Sequence, residues 1–411
     1  MIRACCATFA ILLAGPALVA GSAFAAEPDG LVLPPGFHAT VVADGLKGLR
    51  HLAFRNAHQL YASTRGVKGA GILALHLDEK FKADQTEHFG TVEGGTGIRF
   101  ARGQLYAASP TTIYRYRFDG DTLVPAADPD VVVTGLPEKP SLNRAIALND
   151  RGDLFVALPG QTNNCTTADA PKVGLMPCPE LVGRGGVWRF STARVGQTFT
   201  DGEQVATGLR DLDAMDWRAG DGVYLIQHGR GGMRELFPAF QADDEAIAEE
   251  MHKVKSGANF GWPYSYWDTA SNLRLTAPEY GGDGKASPSI AYSAPAAVLP
   301  GHGAPLDMVF YQGTQFPRSW RGGAFVALHG GQGPTVPQGH HGYNITYVPF
   351  DGRGHAGTPV VFADNFAGPD PADRSVAKAT YRPVGVTVGP DGALYVADSN
   401  KGRIWRIAYG E

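Results

Sequence analysis

The chain has 411 residues, of which 44% are apolar and 18% charged, so it can bury a large core. Its formal net charge of -4 argues against nucleic acid or an anionic membrane as the main partner, because both favour basic surfaces. The 54 glycines and 29 prolines indicate many tight turns. These features favour an all-β protein that binds a small molecule or another protein.

The first 25 residues have the pattern of an export signal. Arg3 supplies positive charge, residues 7–20 form an apolar core, and Ala23-Phe24-Ala25 is a small-x-small cleavage site. The alternative, a membrane anchor, is disfavoured because glycine and proline interrupt a short apolar run. We therefore predict a signal peptide over residues 1–25. Residues 26–411 are expected to form one soluble domain in the periplasm or outside the cell.

A β-meander unit recurs along the rest of the chain. Its clearest copy is residues 382–407, where an apolar strand, a Pro-Asp-Gly turn, an alternating strand and a third strand follow one another. One aromatic residue marks the second strand of each copy: Tyr61, Tyr106, Phe155, Tyr224, Phe325 and Tyr395. The first intervals, 45 and 49 residues, match a propeller blade of about 40 to 50 residues. The sequence thus predicts a six-bladed β-propeller with inserted loops in its later blades.

The two ends of the chain are predicted to close this ring. The last unit has only three strands of its own, and the strand at Phe37 to Ala43 can supply the fourth. Joining the termini in one blade removes exposed sheet edges. The rival architecture, two stacked sandwiches, does not explain six similar units.

Two long insertions, residues 159–185 and 229–305, exceed the length of simple turns. Ligands of propellers tend to bind among such loops at one mouth of the central channel. Within the second insertion, residues 243–255 are predicted as a short helix with Glu249 and Glu250 on a solvated face. Its four aromatic residues could stack on a sugar or simply pack: Trp262, Tyr264, Tyr266 and Trp267.

Cys165 and Cys178 are the cysteines that remain once the signal peptide is removed. An even pair in an exported protein predicts a disulfide. The pair lacks histidines at zinc-ligand spacing, and the chain has no Cys-x-x-Cys-His motif for covalently attached haem.

Several segments together resemble the soluble PQQ-dependent sugar dehydrogenases, especially the sorbosone and pyranose dehydrogenase branch. They are LPPGFHATVVADGL, LIQHGRGG, EEMHKVKSGANFGWPY, FVALHGG and RPVGVTVGPDGALYVADSNKGRIWRI, and they span most of the mature chain. The resemblance implies a six-bladed propeller that holds pyrroloquinoline quinone (PQQ) and Ca²⁺ at its channel mouth. It also implies oxidation of a sugar or sugar aldehyde by hydride transfer, with a separate electron acceptor such as a cytochrome or quinone.

The resemblance also suggests site residues. PQQ is a tricarboxylate that guanidinium groups can neutralise, and Ca²⁺ accepts carbonyl oxygens. The cofactor-binding candidates are Arg382, His329, Arg65, Arg50 and Arg210, and the metal candidates are the carbonyls of Gly229 and Arg230. Each could instead be an ordinary turn, surface arginine or strand-end histidine. Taken together and in the family's order, Arg382 and His329 favour a cofactor site.

One departure from the family concerns the general base. The histidine expected before the third unit falls at Ser141 or Pro140, and neither is a base near neutral pH. Loss of a base costs about 10² to 10⁴ in rate. His228, His340 and His341 are candidate replacements. The alternatives are a propeller that binds a carbohydrate, the cofactor or a protein without turnover, or a calcium-dependent lactonase, although no matching set of acidic ligands stands out.

Overall fold

The computed structural model describes residues 30–67, 71–90, 95–138, 143–238, 240, 246–331 and 340–410, with the backbone of Ala25–Ala26. Residues 1–24 of the predicted signal peptide lie outside this part of the chain. So do Pro140 and Ser141, the positions at which the family's base was expected.

Six four-stranded antiparallel sheets form the blades of a propeller, and each runs outward from its innermost strand. Blade 1 consists of Leu49–Asn56, Gln59–Thr64, Ile72–Leu77 and Ala83–Phe89. Blade 2 consists of Ile98–Ala101, Gln104–Ala108, Ile113–Tyr116 and Asp130–Thr134. Blade 3 consists of Ile146–Leu148, Asp153–Leu158, Gly186–Ser191 and Glu203–Thr207. Blade 4 consists of Leu212–Arg218, Gly222–Gln227, Glu249–Lys253 and Ala297–Leu299. Blade 5 consists of Pro305–Phe310, Ala324–Leu328, Asn344–Val348 and Val360–Ala363. Blade 6 consists of Pro383–Val388, Leu394–Asp398, Ile404–Tyr409 and Phe37–Ala43. The predicted six-bladed, all-β architecture is confirmed.

Blade 6 closes the ring as predicted. Phe37–Ala43 pairs antiparallel with Ile404–Tyr409, and Phe37 lies opposite Tyr409. The N-terminal strand therefore covers the edge that the C-terminal strand would otherwise expose.

Several short strands, small sheets and helical turns lie outside the six four-stranded blades. Gln197–Thr198 adds a parallel strand to blade 2, and Ala258–Asn259 adds one to blade 3. Three small sheets pair Ala25–Ala26 with Val32–Leu33, Thr166–Thr167 with Ala170–Gly174, and Ser265–Asp268 with Leu273–Thr276. The described helices are short: Met233–Leu236 and the 3₁₀ turns Pro179–Val182, Phe199–Asp201, Pro278–Tyr280, Arg318–Trp320 and Pro371–Asp373.

The core lies between adjacent blades. Every residue of Gln59–Thr64 and of Ala324–Leu328 is buried, because neighbouring blades cover both faces of these second strands. At the centre the blades meet so closely that glycine is needed in the innermost strands or just before them. A methyl group on Gly385 would overlap the carbonyl oxygen of Arg50, and one on Gly97 would overlap that of Arg144.

The predicted helix at residues 243–255 is wrong. Its described part contains the strand Glu249–Lys253 between two other strands of blade 4, and Glu249 and Glu250 are buried rather than solvated. The region 229–305 is therefore not a single insertion, since it holds the third and fourth strands of blade 4.

The predicted disulfide between Cys165 and Cys178 is present, with both residues buried and their Cα atoms 6.1 Å apart. It closes the blade 3 insertion. Among the described residues, no helix has the length and apolar character needed to cross a membrane.

Candidate functional site at the propeller mouth

A cavity of about 250 Å³ opens at the mouth where the innermost strands begin and the second strands end. Its lining comes from all six blades and the segments next to their strands: Arg50, His51, Arg65, Thr96, Asn143, Asp211, Asp213, His228, Ala304, Leu306, His329 and Val384. Three larger surface clefts, of about 560, 500 and 400 Å³, lie elsewhere and contain none of the predicted site residues. The predicted site residues that line the 250 Å³ cavity are Arg50, Arg65, His228 and His329. The other candidates Arg210, Gly229 and Arg230 line a smaller cavity that shares His228 with it.

Arg50 and Arg65 line this cavity, and Arg382 lies close to them. Burial lowers the pKa of Arg50 to about 10, and the positive charges of Arg65 and Arg382 contribute to the shift, while Asp213 opposes it. Burial also lowers the pKa of Arg65 and of Arg382. Cations that repel one another in a poorly solvated site are stabilised by a bound anion. The cluster therefore favours an acidic ligand.

Arg382 and His329, two of the predicted cofactor-binding residues, are in contact. The Arg382 guanidinium donates from Nε to the carbonyl of His329 at 3.2 Å and from Nη2 to that of Gly330 at 3.0 Å. The His329 ring bonds through Nε2 to Oγ of Ser399 at 2.8 Å. Burial and the charges of Arg382 and Arg50 hold the pKa of His329 well below its usual value. His329 is therefore neutral near neutral pH.

His228 is the candidate base that lines the cavity. Its Nε2 donates to the carbonyl of Pro305 at 3.0 Å, and Oδ2 of Asp213 lies 3.8 Å from the same nitrogen. Burial lowers the pKa of His228, but Asp211, Glu249 and Asp213 outweigh burial and leave the pKa raised.

The other two histidine candidates lie apart from the cavity lining. The backbone amide of His340 donates to the carbonyl of Arg374, and its side chain packs against Gly331. His341 is exposed. The structure therefore brings His228 and His329 together with Arg50 and Arg65 in the cavity lining, but not this pair.

The Gly229 turn lies next to the cavity, and some of its polar groups already have protein partners, although Nε and Nη2 of Arg230 are buried without one among the described residues. The Gly229 carbonyl accepts a hydrogen bond from Nη1 of Arg210 at 3.0 Å. The Arg230 guanidinium forms a buried ion pair with Glu279 at 2.5 Å. Arg210 is further held by Oδ1 of Asn163, at 2.8 Å from its Nε. The side chain of Arg230 is therefore part of the protein interior, and only its backbone carbonyl remains a candidate metal ligand.

Sequence reasoning missed an asparagine and an aspartate in the wall. Nδ2 of Asn143 donates to Oδ2 of Asp213 at 2.6 Å, and Arg65 donates to Oδ1 of the same asparagine. Burial raises the pKa of Asp213 to about 7, and the neighbouring Asp211 adds to the shift. A usable signal existed, since Asp213 occupies the start of an innermost strand, as Arg50 and His51 do.

The aromatic residues of the second insertion do not form an exposed wall. Trp262 and Tyr266 are buried, and the Trp262 indole packs against Gly160 and Gly185 while its Nε1 donates to the carbonyl of Asn163 at 3.0 Å. These contacts join the insertions of blades 3 and 4 beside the mouth. For the buried pair, packing is the correct interpretation.

Acidic and histidine side chains do not form a dense metal cluster in the described part of the chain. The group of three that approaches metal-ligand spacing there is Cys165, Cys178 and Glu180, and both sulfurs belong to the disulfide. A cation at the mouth would therefore depend mainly on backbone carbonyls and on oxygens of its ligand.

The fold and the site define the class of this protein: a six-bladed propeller with a cationic cavity at its mouth. The chain belongs to the TrAA12-like family, whose model matches residues 31–410. The predicted resemblance to sugar-dehydrogenase propellers is confirmed at this level.

Several solved structures have the same fold. The holo PQQ domain of pyranose dehydrogenase from Coprinopsis cinerea is 18% identical, with a TM-score of 0.72 over 92% of this chain and 97% of that one. A calcium structure of a family AA12 carbohydrate-active enzyme from Trichoderma reesei is also 18% identical, with a TM-score of 0.75 over the same shares. The apo aldose sugar dehydrogenase of Escherichia coli is 16% identical, with a TM-score of 0.61 over 91% and 99%.

A curated relative adds a match in sequence. An uncharacterised protein of Borreliella burgdorferi is 26% identical over 209 residues, which are 50% of this chain and 49% of the relative. The match therefore spans about half of each protein.

Proposed function

We propose that the protein oxidises a sugar or sugar aldehyde with PQQ bound in the mouth cavity. The observation that carries the proposal is that Arg50 and Arg65 line one cavity beside neutral His329. Arg382 is not in the lining, but it lies close enough to lower the pKa of Arg50. Membership of the TrAA12-like family and the likeness to the holo PQQ domain of a pyranose dehydrogenase point in the same direction.

The residues fit an acidic quinone. Among the described residues, Nε of Arg65 is buried without a hydrogen-bond partner. The guanidinium groups of Arg50, Arg65 and Arg382 lie close together, and Asp213 is the carboxylate that offsets their charge at Arg50. A tricarboxylate would match this charge. Arg50, Arg65 and Arg382 would hold its carboxylates, and His329 would contact it as a neutral group. When bound, the quinone supplies a two-electron acceptor for hydride from the sugar carbon.

His228 is proposed as the base in place of the missing family histidine. Oxidation of a C–OH group to C=O also releases the hydroxyl proton, which needs an acceptor near the substrate. His228 lines the cavity, and Asp211 and Asp213 stabilise its protonated form. Replacing His228 by Asn is expected to lower kcat by about 10² to 10⁴ while PQQ affinity changes little. An unchanged kcat would remove this assignment.

Calcium belongs to the proposal through the carbonyls of Gly229 and Arg230, but it fits less well than the quinone. The Arg210 guanidinium donates to the Gly229 carbonyl, so a divalent cation there would lie beside a positive charge. Calcium is therefore tested separately. EDTA-treated protein is expected to bind PQQ more weakly and to recover when Ca²⁺ is added.

The remaining parts of the proposal concern the surroundings of the enzyme. The predicted signal peptide, residues 1–25, would export the chain to the periplasm or outside the cell. A separate electron acceptor, such as a cytochrome or a quinone, would reoxidise the reduced cofactor. Both are proposals that follow from the sequence pattern and the family.

The deciding experiment mixes purified apo protein with PQQ and Ca²⁺ and follows the cofactor absorbance and dye reduction with a panel of aldoses. Binding with turnover supports a dehydrogenase. Binding without turnover supports the non-catalytic alternative and attributes the defect to the missing base. An absence of PQQ binding overturns the proposal, and lactone hydrolysis that depends on Ca²⁺ would favour the lactonase alternative.

Arg382 provides a sharper test of the cofactor site. Replacing it by Ala removes a charge-assisted contact worth about 1.5 to 3 kcal/mol, so the PQQ Kd should rise roughly 10- to 100-fold. Arg353 is an exposed arginine on a distant loop, and Arg353→Ala is the matched control. Equal Kd values for the two variants would contradict the role of Arg382.

A further inference from the structure

A buried glutamate joins the two turns that frame the mouth cavity. Oε2 of Glu249 accepts from the backbone N–H of Gly229 at 2.8 Å, and Oε1 accepts from that of Ala304 at 3.2 Å. Gly229 follows the second strand of blade 4, whereas Ala304 precedes the innermost strand of blade 5. One carboxylate therefore bridges two blades at the mouth.

The Ala304 turn needs such a restraint. Ala304 has φ 53° and His302 has φ 56°, a left-handed conformation that non-glycine residues adopt at a cost of about 1 to 3 kcal/mol each. Strain of this kind persists only where surrounding contacts fix the backbone. The N–H of Ala304 is held by Glu249, and its carbonyl accepts from the N–H of His329 at 2.9 Å.

These contacts continue to the proposed cofactor residues. The carbonyls of His329 and Gly330 accept from the Arg382 guanidinium, and Gly330 N–H in turn donates to the carbonyl of Gly303 at 2.9 Å. A hydrogen-bonded path therefore runs from the Gly229 turn through Glu249 and the strained Ala304 turn to Arg382. It connects blades 4, 5 and 6.

We propose that Glu249 is a positioning residue, which sets the spacing between the Gly229 turn and the Ala304–Arg382 side of the cavity. This inference rests on the proposed function for its effect on cofactor binding. Its structural part, the joining of the two turns, does not. Glu249 itself touches neither substrate nor cofactor in this assignment, since it acts through the backbone groups that it holds.

The neighbouring glutamate provides a matched control. Glu250 is on the same strand and is as deeply buried as Glu249, with 3% and 1% of their surfaces exposed. Successive strand residues point to opposite faces, and Glu250 bonds Gln227 at 3.0 Å and pairs with Arg274. Its partners thus lie away from the Gly229 and Ala304 amides.

The test compares Glu249→Gln with Glu250→Gln in the full chain. A glutamine offers one acceptor oxygen, so either the Gly229 or the Ala304 amide loses its partner. Hydrogen exchange followed by mass spectrometry should show about 10-fold faster exchange in peptides that contain these amides, only in Glu249→Gln. The PQQ Kd of that variant should rise about 10-fold, and Glu250→Gln should retain the wild-type Kd.

A third variant separates local positioning from general destabilisation. Glycine adopts a positive φ without strain, so adding Ala304→Gly to Glu249→Gln should recover part of the lost PQQ affinity. Unchanged exchange and Kd in Glu249→Gln would overturn the inference. It would also fail if Glu249→Gln and the double variant did not fold while Glu250→Gln did, because the carboxylate would then serve the fold as a whole. Should the wild type not bind PQQ, the proposed function fails, and the exchange data still decide whether Glu249 joins the turns.

Discussion

His51 shows how a single buried side chain links the site to stability. Its Nε2 donates to the carbonyl of Leu306 at 2.6 Å, and its Nδ1 lies 3.6 Å from Oδ1 of Asp307. Burial lowers the pKa of His51 to about 4, and Asp307 only partly offsets that effect. In the unfolded chain a histidine titrates near its usual pKa of about 6.5.

This shift predicts that acid weakens the fold through His51. Between about pH 6.5 and pH 4 the unfolded chain binds a proton that the folded chain does not, so the free energy of unfolding falls as the pH falls. At pH 4 the loss from this residue is on the order of 3 kcal/mol. His51→Gln should therefore lose less stability than the wild type when denaturant unfolding is compared at pH 7 and pH 4. Equal losses in both proteins would contradict the prediction.

At the same scale, the sequence predicted the site unevenly. Arg382 and His329 were predicted because they lie in distinctive family segments, and the Arg382 guanidinium does donate to the backbone carbonyl of His329. Glu249 and Glu250 were predicted as a solvated helix face, since a stretch rich in Ala, Glu and Lys favours a helix. The partners that bury them, such as Ala304 and Arg274, are distant in sequence. Local secondary-structure propensity does not contain information about contacts with residues that are distant in sequence.

Among the elements, the innermost strands depend on close approach between blades. Gly385 in blade 6 lies directly against the backbone of Arg50 and His51 in blade 1, where a methyl group would overlap the Arg50 carbonyl. Backbone atoms cannot rotate away as a side chain could, so Gly385→Ala should destabilise the protein by about 1 to 3 kcal/mol or more. Because Arg50 lines the cavity, PQQ affinity should fall as well.

The matched control for this glycine is Gly352, which lies in an exposed turn where an added methyl group would meet no described atom within 4 Å. Gly352→Ala is expected to leave the Tm within about 1 °C of the wild type, since surface changes of this kind cost little. Thermal unfolding of both variants provides the measurement. A Gly385→Ala protein as stable as Gly352→Ala would show that blades 1 and 6 are less tightly packed than the structure indicates.

Elements were predictable where their pattern was strong and local. The second strands of the blades, such as Gln59–Thr64, form short apolar runs bounded by turns, and the sequence located them. The two-residue strand Ala258–Asn259 was missed, because it exists only through parallel pairing with Glu203–Thr207 in another blade. The strands of blade 4 were difficult to predict for a related reason. The segment that pairs with blade 3 lies in the sequence between the third and fourth strands of blade 4.

For the whole molecule, the closed ring could be predicted because the strands of each repeated unit can be counted in the sequence. Six similar units with three strands in the last one require a fourth strand from elsewhere, and Phe37–Ala43 supplies it. The two ends of the ring are held together there by strand pairing. The integrity of the propeller therefore depends on the hydrogen bonds and side-chain packing of this strand.

Phe37 is the main anchor of the closing strand. Its ring makes edge contacts with Phe316, Phe362 and Tyr409, with centroids 4.8, 5.0 and 5.1 Å away. Replacing it by Ala removes these contacts and leaves a cavity, at an expected cost of about 3 to 5 kcal/mol in the free energy of unfolding. Thr40 is an exposed residue of the same strand, so Thr40→Ala should cost less than about 0.5 kcal/mol.

The consequence for the ring should extend beyond the local loss of packing. If Phe37–Ala43 detaches, the strand Ile404–Tyr409 becomes an exposed sheet edge, which favours aggregation. Phe37→Ala should therefore show faster hydrogen exchange in Ile404–Tyr409 and more aggregation on heating than Thr40→Ala, as measured by mass spectrometry and light scattering. If the two variants behaved alike, closure would have to depend on backbone pairing alone, and the aromatic contacts of Phe37 would be incidental to it.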